Sequence, residues 1–104
     1  MCTAINYKSK NHYFGRNLDL ELSYGEKIAI TPRNYPIVFR NMGTVESHFA
    51  IIGMAAVVDN FPLYFDGTNE CGLSIAGLNF PGFSVYKSEI SGKINIASYE
   101  LIIR

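Results

Sequence analysis

The chain has no tryptophan, only two cysteines and two histidines, and no surplus of charge of either sign. Nine Lys and Arg balance nine Asp and Glu. Without a basic stripe there is no electrostatic attraction for nucleic acid or for an anionic membrane surface. No run reaches the ~18 apolar residues needed to cross a bilayer, and the start is too polar for the apolar segment of a secretory signal. The chain is therefore expected to be cytoplasmic. Cys2 and Cys71 lack any disulfide spacing, so both are expected as free thiols, Cys71 as a small buried hydrophobe. His12 and His48 stand far apart with no His or Cys at ligand spacing, so no metal is assigned.

What is present suits one small domain: 104 residues, 48% hydrophobic and 17% charged, with no repeat or linker. The aromatics, 13% of the chain, are all Tyr and Phe. They fit either a dense β core or an apolar cleft for a small molecule.

Short runs rich in β-branched and aromatic residues, separated by turn residues, predict a chain that is mostly sheet. Thr3–Tyr7 and Tyr13–Asn17, joined by the polar turn Lys8–Asn11, predict a hairpin whose return brings Cys2 near Arg16 and Asp19. Further strands are expected at Lys27–Thr31, Ile37–Arg40, Phe49–Val58, Leu63–Phe65 and Leu73–Leu78, with loops at Pro32–Pro36 and Asn41–Ser47. Phe49–Val58 is continuously apolar; Gly53 and the β-branched ends favour a strand buried on both faces over a buried helix. Helical character is confined to Ile94–Arg104, capped by Asn95 or Ser98. Its apolar face has little to cover it, which predicts that the chain is a piece of a longer protein.

Cys2 lies directly behind Met1. An initiator Met before a small residue is removed by methionine aminopeptidase, which would leave a thiol and a free α-amine on one residue. Reference thiols titrate near ~8.5 and α-amines near ~7.7 to 8.0, so the amine can accept the thiol's proton near neutral pH. One residue would then supply nucleophile and base. Taken alone, that position favours no role.

Cys2 is accompanied by ordered blocks: Met1-Cys2-Thr3, Phe14-Gly15-Arg16-Asn17-Leu18-Asp19, Thr31-Pro32-Arg33-Asn34-Tyr35-Pro36, Ile52-Gly53-Met54, Phe61-Pro62-Leu63-Tyr64, Asn69-Glu70, Gly72-Leu73 and Ala76-Gly77-Leu78-Asn79-Phe80-Pro81. Along essentially the whole chain these resemble the choloylglycine hydrolase family of N-terminal-nucleophile amidases, which includes conjugated bile acid hydrolases and penicillin V acylases. The resemblance implies an α+β fold, an αββα sandwich. Residues 1–104 would form an incomplete N-terminal part of its single domain, mostly antiparallel strands with the start of one helix at the end.

The resemblance also implies hydrolysis of a linear amide without any cofactor. Cys2 Sγ would attack the carbonyl, its α-amine would manage the protons, and water would cleave the thioester. Arg16 would stand beside the thiol, where a permanent cation favours the thiolate. Asp19 would hold the α-amine by a charge-assisted hydrogen bond. Asn79 would donate its side-chain NH₂ to the oxyanion. Penicillin V acylases often carry Tyr at that position, so Asn79 leans toward a conjugated bile acid, whose rigid apolar body would lie against Leu18, Tyr24, Val58 and Phe65. For the whole protein a homo-oligomer is expected.

Each residue also has a plainer reading: Arg16 as a solvated strand end, Asp19 and Asn79 as turn formers, the four lining residues as core. Two later residues of the family pattern, an Asn and an Arg, would fall beyond Arg104. The 104 residues by themselves are therefore expected to be inactive, and a noncatalytic remnant is the competing class of reading.

Overall fold

The polar residues from Lys8 to Asn11 reverse the chain as expected. In the computed structural model, which describes residues 1–104, β1 (Thr3–Lys8) and β2 (His12–Asn17) pair antiparallel from Thr3↔Asn17 to Lys8↔His12. Alternation divides this hairpin into two faces. Tyr7 and Tyr13 stack on one, with ring centroids 6.3 Å apart; Ala4 and Arg16 share the other.

The rest of the chain builds around β6 (Ile51–Val58). On one edge it pairs with β3 (Lys27–Thr31); on the other it meets first β7 (Phe61–Tyr64) and then β8 (Asp66–Asn69), which carries β9 (Ser74–Ala76). All these pairings are antiparallel. The turn from β6 to β7 is Asp59-Asn60, both left-handed with φ of 49° and 63°. Two residues of positive φ match the right-handed twist of the flanking strands, and Asp and Asn tolerate that conformation.

One face of this sheet packs on a short ribbon, β4 (Ile37–Phe39) with β5 (Gly43–Val45), and on the C-terminal segment. Ile37, Phe39, Ile51, Ala55, Tyr64 and Ile103 form the buried core there. Tyr64 brings a polar atom into it and satisfies that atom with Thr31 Oγ1 at 2.8 Å; burial pushes its phenol up from the ordinary value. The fully buried Glu100 accepts the Arg40 N–H at 2.6 Å and the Ala97 N–H at 2.8 Å, fastening the C-terminal segment to the ribbon.

Several expectations need correction. The helix over Ile94–Arg104 is only a 3₁₀ turn at Ser98–Glu100 followed by a turn, and its N-cap is Ala97 rather than Asn95 or Ser98. No side chain caps this turn from Ala97; the Glu100 carboxylate instead reaches back to the Ala97 N–H. β6 is buried mainly on one face: Ile51, Gly53 and Ala55 are covered, whereas Ile52, next to Ile30 in the register, is 49% exposed. Cys71 is unpaired but exposed rather than buried. It lies in the β8–β9 loop, where Asn69 Oδ1 accepts the N–H groups of Cys71 and Leu73, both at 3.0 Å, and Gly72 takes a φ of 83°. Two strands were not foreseen. β5 falls inside the expected Asn41–Ser47 loop, and β8 is a polar run, Asp66-Gly67-Thr68-Asn69, paired because β6 is its neighbour. No helix is long and apolar enough to cross a membrane.

Candidate active site

Continuing the Thr3↔Asn17 register by one step sets Cys2 opposite Leu18, and by two sets Met1 opposite Asp19. The side chains agree with that placement. The Asp19 carboxylate takes the N-terminal ammonium of Met1, and the Asp19 carbonyl accepts the Cys2 thiol at 3.7 Å. Thr3 N–H donates to Asn17 Oδ1 at 2.6 Å and closes the same end of the hairpin. Cys2 is half-buried, so its sulfur is held but not sealed from solvent.

Arg16 leaves the hairpin and enters the sheet. Its side chain is 4% exposed. Nη1 donates to Phe65 O and Asp66 Oδ2, both at 3.4 Å, and Nη2 to Gly77 O at 2.9 Å. Nε is buried with no partner. Such a donor costs about 1–3 kcal/mol. None of the Arg16 hydrogen bonds goes to Cys2. Cys2 and Arg16 are diagonal neighbours on one hairpin face, a spacing of roughly 7–8 Å that long side chains can bridge.

Asp66 is the residue that sequence reasoning missed. Ala55 faces Tyr64 and Ile52 faces Thr68, so three steps along β6 match four along its partner. The extra residue is a bulge at Phe65-Asp66. Phe65 N–H still donates to Met54 O at 2.8 Å, but Met54 N–H donates to the Asp66 carboxylate, Oδ1, at 3.0 Å. Read as sequence, Asp66-Gly67 after an aromatic strand suggests only a turn.

Of the expected lining residues, Tyr24 and Phe65 meet, with ring centroids 6.4 Å apart and planes inclined by 43°. The Tyr24 loop is shaped by Glu26, whose carboxyl lies below the usual range because its own backbone N–H, Ser23 and the Tyr24 N–H hydrogen-bond to it. Leu18 is half-buried at the Cys2 end of the hairpin. Val58 is exposed at the far end of β6, beside the Asp59-Asn60 turn, and is not drawn into the Tyr24–Phe65 pair. Asn79 lies just past β9, exposed and with no side-chain hydrogen bond. A turn-forming Asn would bond its own backbone; the turn here is instead closed by Phe83 N–H on Phe80 O at 3.2 Å. Arg16 brings this loop to the hairpin through Gly77.

A cleft of about 860 Å³ opens elsewhere, among residues that include Arg33, His48, Phe49, Cys71 and Leu101. It contains none of the eight candidate residues.

The model for linear amide C-N hydrolases of the choloylglycine hydrolase family matches residues 2–104. The chain is 56% identical over 102 residues to the bile salt hydrolase/transferase of Lactiplantibacillus plantarum, covering 98% of this chain and 32% of that protein. It is 50% identical over 106 residues to the conjugated bile acid hydrolase of Lactobacillus gasseri, covering 99% of this chain and 34% of that protein. The crystal structure of a mutant conjugated bile acid hydrolase from Clostridium perfringens superposes with a TM-score of 0.86 at 39% identity, over 98% of this chain and 32% of that one. The chain thus spans about a third of the length of the curated relatives it matches, and its mostly antiparallel architecture is that of the corresponding third of the solved hydrolase.

Proposed function

The chain belongs to the choloylglycine hydrolase family, and on that footing we propose that it carries the nucleophile end of a single-domain enzyme that cleaves the amide between a bile acid and glycine or taurine. The observation that carries the reading is the pair of contacts at Asp19, its carboxylate on the N-terminal ammonium and its carbonyl on the Cys2 thiol. Removal of Met1 would move the α-amine onto Cys2, within reach of the same carboxylate.

The amine would then take the proton from Sγ, and the thiolate would attack the amide carbonyl. The unbonded Asn79 amide would donate to the tetrahedral oxyanion. Collapse would return the proton to the departing glycine or taurine nitrogen and leave a thioester on Cys2. Water, deprotonated by the α-amine, would attack that thioester, release the bile acid and restore the thiol. An amine attacking in place of water would give acyl transfer, the second activity named for the Lactiplantibacillus relative. The names of the relatives favour a bile acid over penicillin V.

The companion proposals follow the same reading: a cytoplasmic, homo-oligomeric whole protein whose partner is this small-molecule amide, not nucleic acid or membrane. Expressed alone, the 104 residues should not turn over. Only 13 of them are buried, and Ile28, Ile30, Leu101 and many other apolar side chains are exposed, which favours association over a working cleft.

Substitution in the whole protein tests the reading. Cys2→Ala should abolish hydrolysis of glycocholate and taurocholate. Cys2→Ser should leave a small residue of activity, because a hydroxyl is far harder to deprotonate than a thiol. Cys2→Ala with the parent's turnover would end the assignment of Cys2 as nucleophile.

A further inference from the structure

Every hydrogen bond that joins residues 1–20 to the five-stranded sheet comes from Arg16. The hydrogen bonding that ties the hairpin to the sheet thus runs through one guanidinium. Two of its three acceptors are main-chain carbonyls; the only charge facing it is the Asp66 carboxylate. We propose that Asp66 is the positioning residue for Arg16 and, through it, for the nucleophile, an inference that rests on the reading of Cys2 above.

The two carboxylate oxygens have separate tasks. Oδ1 takes the Met54 N–H at 3.0 Å, which locks the Asp66 side chain to β6, and Oδ2 meets Arg16 Nη1 at 3.4 Å. Both partners are largely buried, with side-chain exposures of 4% for Arg16 and 13% for Asp66. The bulge makes this possible. Had the pairing continued in step from Ala55↔Tyr64, Asp66 would share the face of Tyr64, among Ile51, Ala55 and Ile37. The extra residue turns its carboxylate toward the hairpin instead. Gly53 is required for that turn, since a Cβ there would overlap Asp66 O. Removing one member of a buried pair leaves the other charge uncompensated, and the guanidinium would shift toward water. Cys2 is its diagonal neighbour and would feel that shift; misplacement by about 1 Å can cost on the order of 10²-fold in rate.

The test is Asp66→Asn in the whole protein, made in a Cys71→Ser background so that Cys2 is the alkylated thiol among these residues. Asn keeps an acceptor for Met54 and removes the charge. The expected result is a kcat lower by roughly tenfold to a hundredfold with KM within about twofold, together with iodoacetamide alkylation of Cys2 moved to higher pH, because a displaced cation favours the thiolate less. Parent values of kcat and an unchanged alkylation profile would overturn the proposal. So would a fall in activity that tracks only the folded fraction seen by circular dichroism, with the alkylation profile of the folded protein unmoved. Should Asp66→Asn fail to fold, Asp66→Glu, which keeps the charge but moves it by one methylene, is read by the same two measures with the same overturning result. A parent inactive on every bile amide would refute the substrate reading while the alkylation profile still decided about Asp66.

Discussion

Gly53 lies so close against the main chain of Asp66 that a Cβ at position 53 would overlap the Asp66 carbonyl oxygen and sit 2.8 Å from Gly67 Cα. The neighbouring atoms are backbone, so no side chain can turn aside to make room. Gly53→Ala should therefore destabilise the fold by at least about 3 kcal/mol, the upper end of overpacking costs. Urea denaturation of the whole protein would measure it; a variant as stable as the parent would mean that β6 and β8 separate more easily than this contact implies.

Asp19 receives the N-terminal ammonium of Met1, and on the proposed reading it would receive that of Cys2 once Met1 is removed. The active product should begin at Cys2, and intact-mass measurement should show loss of one methionine. Full activity in a product that retains Met1 would sink the α-amine as base, because the amine would then belong to the wrong residue.

Asn79 is the candidate donor with no competing intramolecular bond. Asn79→Ala should lower kcat by on the order of 10²-fold, the scale for one oxyanion donor, with KM little changed. Steady-state kinetics on glycocholate separates the two parameters. A change confined to KM would move Asn79 from the transition state to ground-state binding.

Acid should loosen the Arg33–Glu70 clamp before the core. Arg33 Nε donates to Glu70 at 2.7 and 2.9 Å, and Ala50 N–H adds a bond at 3.0 Å. First the Arg33 hydrogen bonds and then the Ala50 N–H hold the Glu70 carboxyl at about 2 against an ordinary 4.5. Since the folded value is the depressed one, the clamp's contribution is complete above 4.5 and is lost as pH falls from there to about 2. Glu70→Gln should flatten the dependence of Tm on pH across that window. An unchanged slope would show that the clamp, exposed as it is, adds nothing to stability.

The opening hairpin was legible from residues 1 to 19 because its determinants are local: a polar turn, alternating strands, and a register that follows from the turn. That reading already brought Cys2 near Arg16 and Asp19; the role of Asp19 at the amine came from the family resemblance alone. The terminal helix was misread because apolar spacing was present but the segment instead docks through Glu100 and Ile103, partners of Arg40 and the core. Cys71 was misread because the conformation of its loop is dictated by Asn69 and Gly72, not by the hydrophobicity of a thiol.

By itself the sequence determined the family, the nucleophile candidate and the strand-rich character, since ordered motifs and a two-residue period are carried by near neighbours. Only the tertiary structure decided what holds Arg16. The bulge at Phe65-Asp66 depends on how four steps along the chain match three on a strand more than ten positions earlier, with Gly53 giving way to a carbonyl. Such a mismatch leaves no periodic trace in the chain, because it is a property of two strands meeting rather than of either strand alone.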